Sequence, residues 1–159
     1  MKKNSLSETL IKMLSSLFYL GYSPFLPGTL ASLAGFLVYI LFIKQNTAGH
    51  LVLVFIITVS GFWLSQQAEK LFGKKDARQI IIDDFNGMLL SLLFLPYSLK
   101  LAVAGFIIFR IMDGLKPYPI YKVDKLKGSL GIMGDDLLAG VYTNITLQLL
   151  LKLSSLNFS

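Results

Sequence analysis

Apolar residues fall along this chain in runs of helical length, separated by short polar clusters. LASLAGFLVYILFI (30–43) is the first run and LVLVFIITVSGFWL (51–64) the second. A third region, 85–109, holds two apolar pieces, 88–95 and 101–109, parted by Pro96 and Lys100; a last run covers about 135–153. A bilayer-crossing helix takes about 20 residues, with a range of roughly 17–25. The first, second and last runs reach that length only with flanking polar residues. The piece 88–95 needs the apolar triplet 80–82 and a DDFNG turn (83–87) to reach a surface. The pattern predicts an all-α, polytopic helical membrane bundle with short and hairpin-like spanning helices, built as one domain over 1–159. Glu8 and Lys12 interrupt the apolar stretch at the N-terminus, which therefore reads as an amphipathic start to the mature chain rather than a signal peptide.

The basic residues test whether the runs cross a bilayer. If each does, one side carries the N-terminus, 65–84 and 110–134. That side holds Lys2, Lys3, Lys12, Lys70, Lys74, Lys75, Arg78, Arg110, Lys116, Lys122, Lys125 and Lys127, twelve of the fifteen Lys and Arg. The other side holds Lys44, Lys100 and Lys152. The positive-inside rule makes the first side cytoplasmic. A mean hydropathy of +0.65 with 15% charged residues agrees, since soluble chains carry about 25%. The competing reading is a soluble helical bundle with a greasy core.

The chain has no cysteine, which excludes thiol catalysis and thiolate-bound metals. Its one histidine, His50, heads an apolar run far from every acidic motif and reads as interfacial, so phosphohistidine chemistry is not expected. Metal and carboxylate chemistry remain. Five of the nine acidic residues sit in dense motifs beside apolar runs: Asp83 and Asp84 in DDFNG, Asp113 in FRIMDGLKPYPI, Asp135 and Asp136 in GIMGDD. Buried carboxylates are costly unless a partner neutralises them, and a hard divalent cation with oxygen ligands is the usual one. Arg110 and Lys116 are interleaved with them. Carboxylates for a metal and cations for an anion suit a phosphate ester.

Each motif also has a local reading. In SPFLPGTLAS (23–32), Pro24 and Pro27 stiffen a loop, and Thr29 is placed to cap the next helix, whose free N–H groups suit a phosphate. Adjacent carboxylates such as Asp83 and Asp84 point about 100° apart on a helix, so one can meet a metal while the other caps a helix or holds a cation. Arg110, Asp113 and Lys116, spaced by three, share one side of a helix that Pro117 and Pro119 end. Gly128, Gly131 and Gly134 read as a loop that approaches a ligand closely, with Asp135 and Asp136 opening the last helix. Gly61 reads as a close helix contact. The sequon at Asn144 lies inside an apolar helix and is discounted as a glycosylation site.

SPFLPGT, DDFNG, FRIMDGLKPYPI and GIMGDDLLAG, in this order and spacing, closely resemble the phosphatidylglycerophosphatase A family, from about Leu14 to Leu149. The resemblance implies a small bacterial membrane enzyme, placed in the inner membrane, and the Lys/Arg distribution turns its site to the cytoplasm. Such an enzyme removes the phosphate monoester of phosphatidylglycerophosphate with Mg²⁺, its partners being that lipid and the bilayer, with no nucleic acid. It carries over an acidic site of Asp83, Asp84, Asp113, Asp135 and Asp136 beside Arg110 and Lys116. Asp84, Asp135 and Asp136 are the expected metal ligands, and Asp83 and Asp113 catalytic carboxylates with Arg110 and Lys116. Thr29, Arg110 and Lys116 are the expected phosphate contacts. The chain departs from the family pattern at Asp84, where Glu is usual, and at Asn86. Two other classes compete. A CDP-alcohol-type lipid phosphotransferase would need AR after the DG, where Leu115-Lys116 stand; a non-enzymatic cation- or partner-binding membrane protein would need neither Arg110 nor Lys116.

Overall fold

A computed structural model of the chain describes residues 5–44 and 46–156; Lys2 and Lys3 lie outside them. All regular structure among the described residues is helical. An amphipathic helix α1 (Ser5–Ser15) leads through an irregular turn into α2 (Pro27–Val38), which continues through one wider π turn to Ile43. Then come α3 (Thr47–Phe72), α4 (Ile82–Ser91), α5 (Leu99–Leu115), the short α6 (Ile120–Asp124) and α7 (Ser129–Leu156). The four predicted apolar regions thus appear as α2, α3, the α4–α5 pair and α7. Among the described residues one helix, Thr47–Phe72, is by itself long and apolar enough to cross a membrane.

Helix α4 is the hub, in contact with α2, α3, α5 and α7. Met88, Leu89 and Leu92 join Phe109 of α5 and Ala139 and Leu147 of α7 in the main apolar core. Its ten residues make about 15 Å of helix, so it ends inside the bundle. A helix end leaves carbonyls unpaired, and distant side chains satisfy them here. Asn144 Nδ2 donates to the Ser91 and Leu93 carbonyls at 3.1 and 2.7 Å. His50 Nε2 donates to Leu89 at 2.9 Å. The interfacial position expected of His50 is therefore wrong: the ring is buried as a partner for a helix that stops early. Asn144 is likewise committed inside α7.

Two glycines let α4 and α7 touch backbone to backbone. A Cβ at Gly140 would stand 2.6 Å from the Gly87 carbonyl oxygen, and one at Gly87 2.7 Å from the Asp136 carbonyl oxygen. This crossing sets Asp83 and Asp84 against Asp135 and Asp136. Gly61 serves close contact as expected, with the Met133 side chain over it. Gly131 and Gly134 do not form a ligand loop. They lie inside α7, pressed against Leu126 and Val123. DDFNG is the start of α4 rather than a turn.

The outer surface is apolar at helical spacing. Leu33, Leu37 and Leu41 are exposed on the second helix; Val52, Phe55, Ile56, Val59 and Trp63 on α3; Ile107 and Ile111 on α5; Val141, Ile145 and Leu149 on α7.

Candidate active site

The N-terminus of α4, the second turn of α7 and the C-terminal end of α5 converge on a cavity of about 320 Å³. Asp83, Asp84, Asp113, Asp135 and Asp136 all line it, as do Arg110 and Lys116. Pro27 and Gly28 supply one wall. Thr29 is not brought to it, and Leu26 rather than Thr29 occupies the N-cap position, because Pro27 opens α2 two residues earlier. A Cβ at Gly28 would lie 2.5 Å from Asp84 Oδ2, so that position needs a glycine to seat the carboxylate.

The two cations are forked between acids. Arg110 donates from Nη1 to Asp84 Oδ1 at 2.5 Å and to Ser32 Oγ at 3.0 Å, while Nη2 lies 3.1 Å from Asp113. The Arg110–Asp113 pair is the i, i+3 contact that the spacing predicts. Lys116 caps α5 in a left-handed conformation, φ 44°, and its Nζ lies 2.6 Å from both Asp124 and Asp135. Burial alone would lower the Lys116 pKa, but the hydrogen bonds to Asp124 and Asp135 outweigh it and raise it, so the ammonium stays charged. Those from Lys116 hold Asp124 below the usual carboxylate range.

Asp76, Asp124 and Arg78 belong to this region and were not singled out in the sequence. Asp76 and Arg78 line the cavity, from the loop before α4. Burial pushes the Asp76 carboxyl up, opposed by the Lys116 charge. Arg78 donates to the Pro24 carbonyl at 2.5 Å, tying that loop to the entry of α2. Isolated acids in basic loops carry no spacing signal; the tertiary partner gives them meaning.

Six aspartates and three cations line the cavity. Asp83 and Asp136 are buried and form no ion pair among the described residues. The buried oxygens Asp83 Oδ1 and Asp135 Oδ1 have no hydrogen-bond partner. Asp83, Asp84 and Asp136 each bring an oxygen within 4.8 Å of the others, and so do Asp113, Asp135 and Asp136. Asp136 is common to both trios. An all-carboxylate donor set with unsatisfied lone pairs fits a hard cation such as Mg²⁺ and suits no soft metal. Asp135 and Asp136 do not open their helix as expected; they stand one turn further in, where α7 crosses α4.

Residues 13–151 match the family model described as phosphatidylglycerophosphatase A. The chain belongs to the phosphatidylglycerophosphatase A family. Among curated relatives, a Bacteroides thetaiotaomicron protein named "Putative phosphatidylinositol-3-phosphatase" is 35% identical over 133 residues, 79% of this chain and 83% of the relative. The phosphatidylglycerophosphatase A of Escherichia coli is 38% identical over 123 residues, 76% of this chain and 72% of its own. That of Haemophilus influenzae is 34% identical over 122 residues, 75% of each chain. No solved structure matches. The departures from the family pattern have distinct surroundings. Asp84, one methylene shorter than Glu, reaches Arg110 directly. Asn86 lies in the buried interior and donates to Thr58 Oγ1 at 2.8 Å.

Proposed function

We propose that the protein is a Mg²⁺-dependent phosphatase that hydrolyses the phosphate monoester of phosphatidylglycerophosphate, giving phosphatidylglycerol and inorganic phosphate at the cytoplasmic face of a bacterial inner membrane. The observation that carries this reading is the aspartate-lined cavity in which two buried carboxylates, Asp83 and Asp136, pair with no cation among the described residues, while Arg110 and Lys116 line the same cavity. Family membership supports the same substrate.

The residues divide the work. Arg110 and Lys116, fixed by their acidic partners, meet the non-bridging oxygens of the phosphate and offset charge that grows during transfer. Asp84 and Asp136 of one acidic trio and Asp135 of the other would hold the metal, with Asp83 and Asp113 beside them. Bound there, Mg²⁺ would polarise the phosphate and lower the pKa of a coordinated water. Asp83, which forms no ion pair among the described residues, accepts the proton of the attacking water. The water oxygen forms a bond to phosphorus as the bond to the glycerol oxygen breaks; that oxygen takes a proton from solvent water, and Asp83 returns its own proton to solvent. The lipid alcohol stays in the bilayer and phosphate leaves to water.

The bilayer reading rests on the outward apolar stripes, of a kind that soluble monomers rarely expose. Trp63, 58% exposed, suits the membrane–water boundary where such rings collect. Residues 47–63 of α3 then measure about 25 Å at about 1.5 Å per residue, close to the hydrocarbon thickness of about 30 Å. Leu64 packs with Ile80 and Ile82, so the aspartates that follow Ile82 lie at headgroup level. Helix α2 with its π turn and helix α7 cross beside α3, and the α4–α5 pair enters and returns as the hairpin, making the bundle polytopic.

Substrate choice is tested by incubating purified protein with phosphatidylglycerophosphate and, separately, phosphatidylinositol 3-phosphate in mixed micelles with Mg²⁺. Phosphate release at least about tenfold faster, as kcat/KM, from the first lipid is expected. Preference for the inositol lipid would overturn the assignment.

A further inference from the structure

A second cavity, about 240 Å³, opens on the other side of the α4 entry, walled by Leu17, Phe18, Ile57, Leu64, Ile82 and Phe85. Its α3 wall is one helix face, Leu64, Ser60 and Ile57. Its α4 wall is Ile82 and Phe85, one turn apart and on either side of Asp83 and Asp84. Ser60 has the one polar side chain among the described lining residues, and its hydroxyl donates to the Ile56 carbonyl at 2.7 Å. Nothing in the groove asks for a polar ligand.

The third wall is held at a cost. Leu17, Phe18 and Tyr19 take consecutive left-handed conformations, φ 47°, 55° and 69°, which L-residues seldom adopt even singly. The turn is pinned by Phe18 N–H to Met13 O at 2.7 Å, Gly21 N–H to Ser16 O at 3.0 Å and Tyr19 N–H to Ser16 Oγ at 3.1 Å. Ile81 N–H to Ser15 O at 3.0 Å ties it to the segment entering α4. The strained turn sets Leu17 and Phe18 along the groove, with Phe18 72% exposed.

We infer that this groove seats one acyl chain of the lipid whose phosphate enters the aspartate cavity, an inference that rests on the lipid-phosphatase reading above. Its direction supports that occupant. Leu64 marks headgroup level, and Ile57 lies seven residues away, about 10 Å deeper into the hydrocarbon. The groove thus opens at the turn of α4 that carries the carboxylates, on its opposite face, and runs inward; the glycerol–phosphodiester–glycerol link between the terminal phosphate and the tails reaches round the end of that helix. The protein then selects substrates by tail as well as by headgroup, and a phosphomonoester without tails loses this contact.

The test compares dioleoyl phosphatidylglycerophosphate with its deacylated, water-soluble headgroup, using wild type and Ser60→Phe, which fills the groove. Ser60→Phe should lower kcat/KM on the dioleoyl lipid by about tenfold or more and leave the deacylated substrate unchanged. Equal loss on both substrates, or loss on neither, overturns the groove. If wild type releases phosphate from neither substrate, the phosphatase reading itself fails and the groove falls with it. A diazirine placed in the acyl chain decides independently on wild-type protein, whatever the variant's folding. Labelling of segments 14–18 and 57–60 by the substrate lipid is expected. Equal labelling by a phosphatidylethanolamine probe, labelling confined to the outer stripe at Phe55 and Ile56, or a cross-linked dimer through the groove would contradict it.

Discussion

Lys116 Nζ lies 2.6 Å from Asp124 Oδ1, across a turn containing Pro117 and Pro119. The same ammonium lies 2.6 Å from Asp135 on α7, so one lysine joins the end of α5, the end of α6 and the acidic wall of the cavity. A lysine held from two sides gives up its rotamer freedom in advance, and its charge is aimed before substrate arrives. Lys125, nine residues further on, has no such frame; it lies over the exposed ring of Tyr121 at 5.3 Å.

Lys116→Ala should therefore lower kcat by about 100-fold or more, a loss that high salt does not reproduce in wild type. Lys125→Ala should change KM alone, within a few-fold and in a salt-dependent way, as expected of a surface charge worth about 1 kcal/mol toward anionic lipid. Steady-state kinetics at two ionic strengths separate the cases. Equal KM-type losses would reduce Lys116 to one more surface lysine.

Asp136 belongs to both acidic trios and forms no ion pair among the described residues. Asp136→Asn should lower kcat by about two orders of magnitude or more. The same change should raise the melting temperature in chelator by a few degrees, roughly, because a buried like-charge contact is removed. It should also shrink the stabilisation that Mg²⁺ gives to wild type. Thermal unfolding with and without Mg²⁺ reads both. A variant destabilised in chelator and stabilised by Mg²⁺ as fully as wild type would place the ion elsewhere.

Gly140→Ala drives a methyl group into the Gly87 carbonyl, 2.6 Å away, and must part α4 from α7. A destabilisation of about 1–3 kcal/mol is expected from such overpacking, together with lost activity, since the same crossing aligns the aspartates. Gly114→Ala is the control: nothing lies within 4 Å of its added Cβ, and it should stabilise α5 by roughly 0.5–1 kcal/mol. Equal effects in unfolding titrations would deny the crossing its role.

Cysteine labelling of intact cells tests the orientation, and the chain has no native thiol to interfere. Lys127→Cys should be protected from an impermeant external reagent, and Lys44→Cys should react. Both positions are exposed, so the reverse pattern would invert the proposed topology.

The acidic site was legible in the sequence because carboxylates are rare in so apolar a chain; all five motif aspartates, Arg110 and Lys116 meet in one cavity. What the sequence hid was where helices begin. Pro27 starts α2 ahead of Thr29. Gly131 and Gly134, which look like loop residues, are tolerated inside α7 because Leu126 and Val123 press against them. DDFNG resembles a turn but opens α4, whose short length is supported from outside by His50 and Asn144. Asp76 and Asp124 stayed hidden because their significance lies in a cavity and a lysine that no local spacing announces.

The most direct test is phosphate release from phosphatidylglycerophosphate by purified protein, measured after removal of divalent cations with EDTA and again after excess Mg²⁺ is restored. Release should cease in chelator and return with Mg²⁺. Undiminished turnover by metal-free protein would contradict a site built from unpaired carboxylates around a cation.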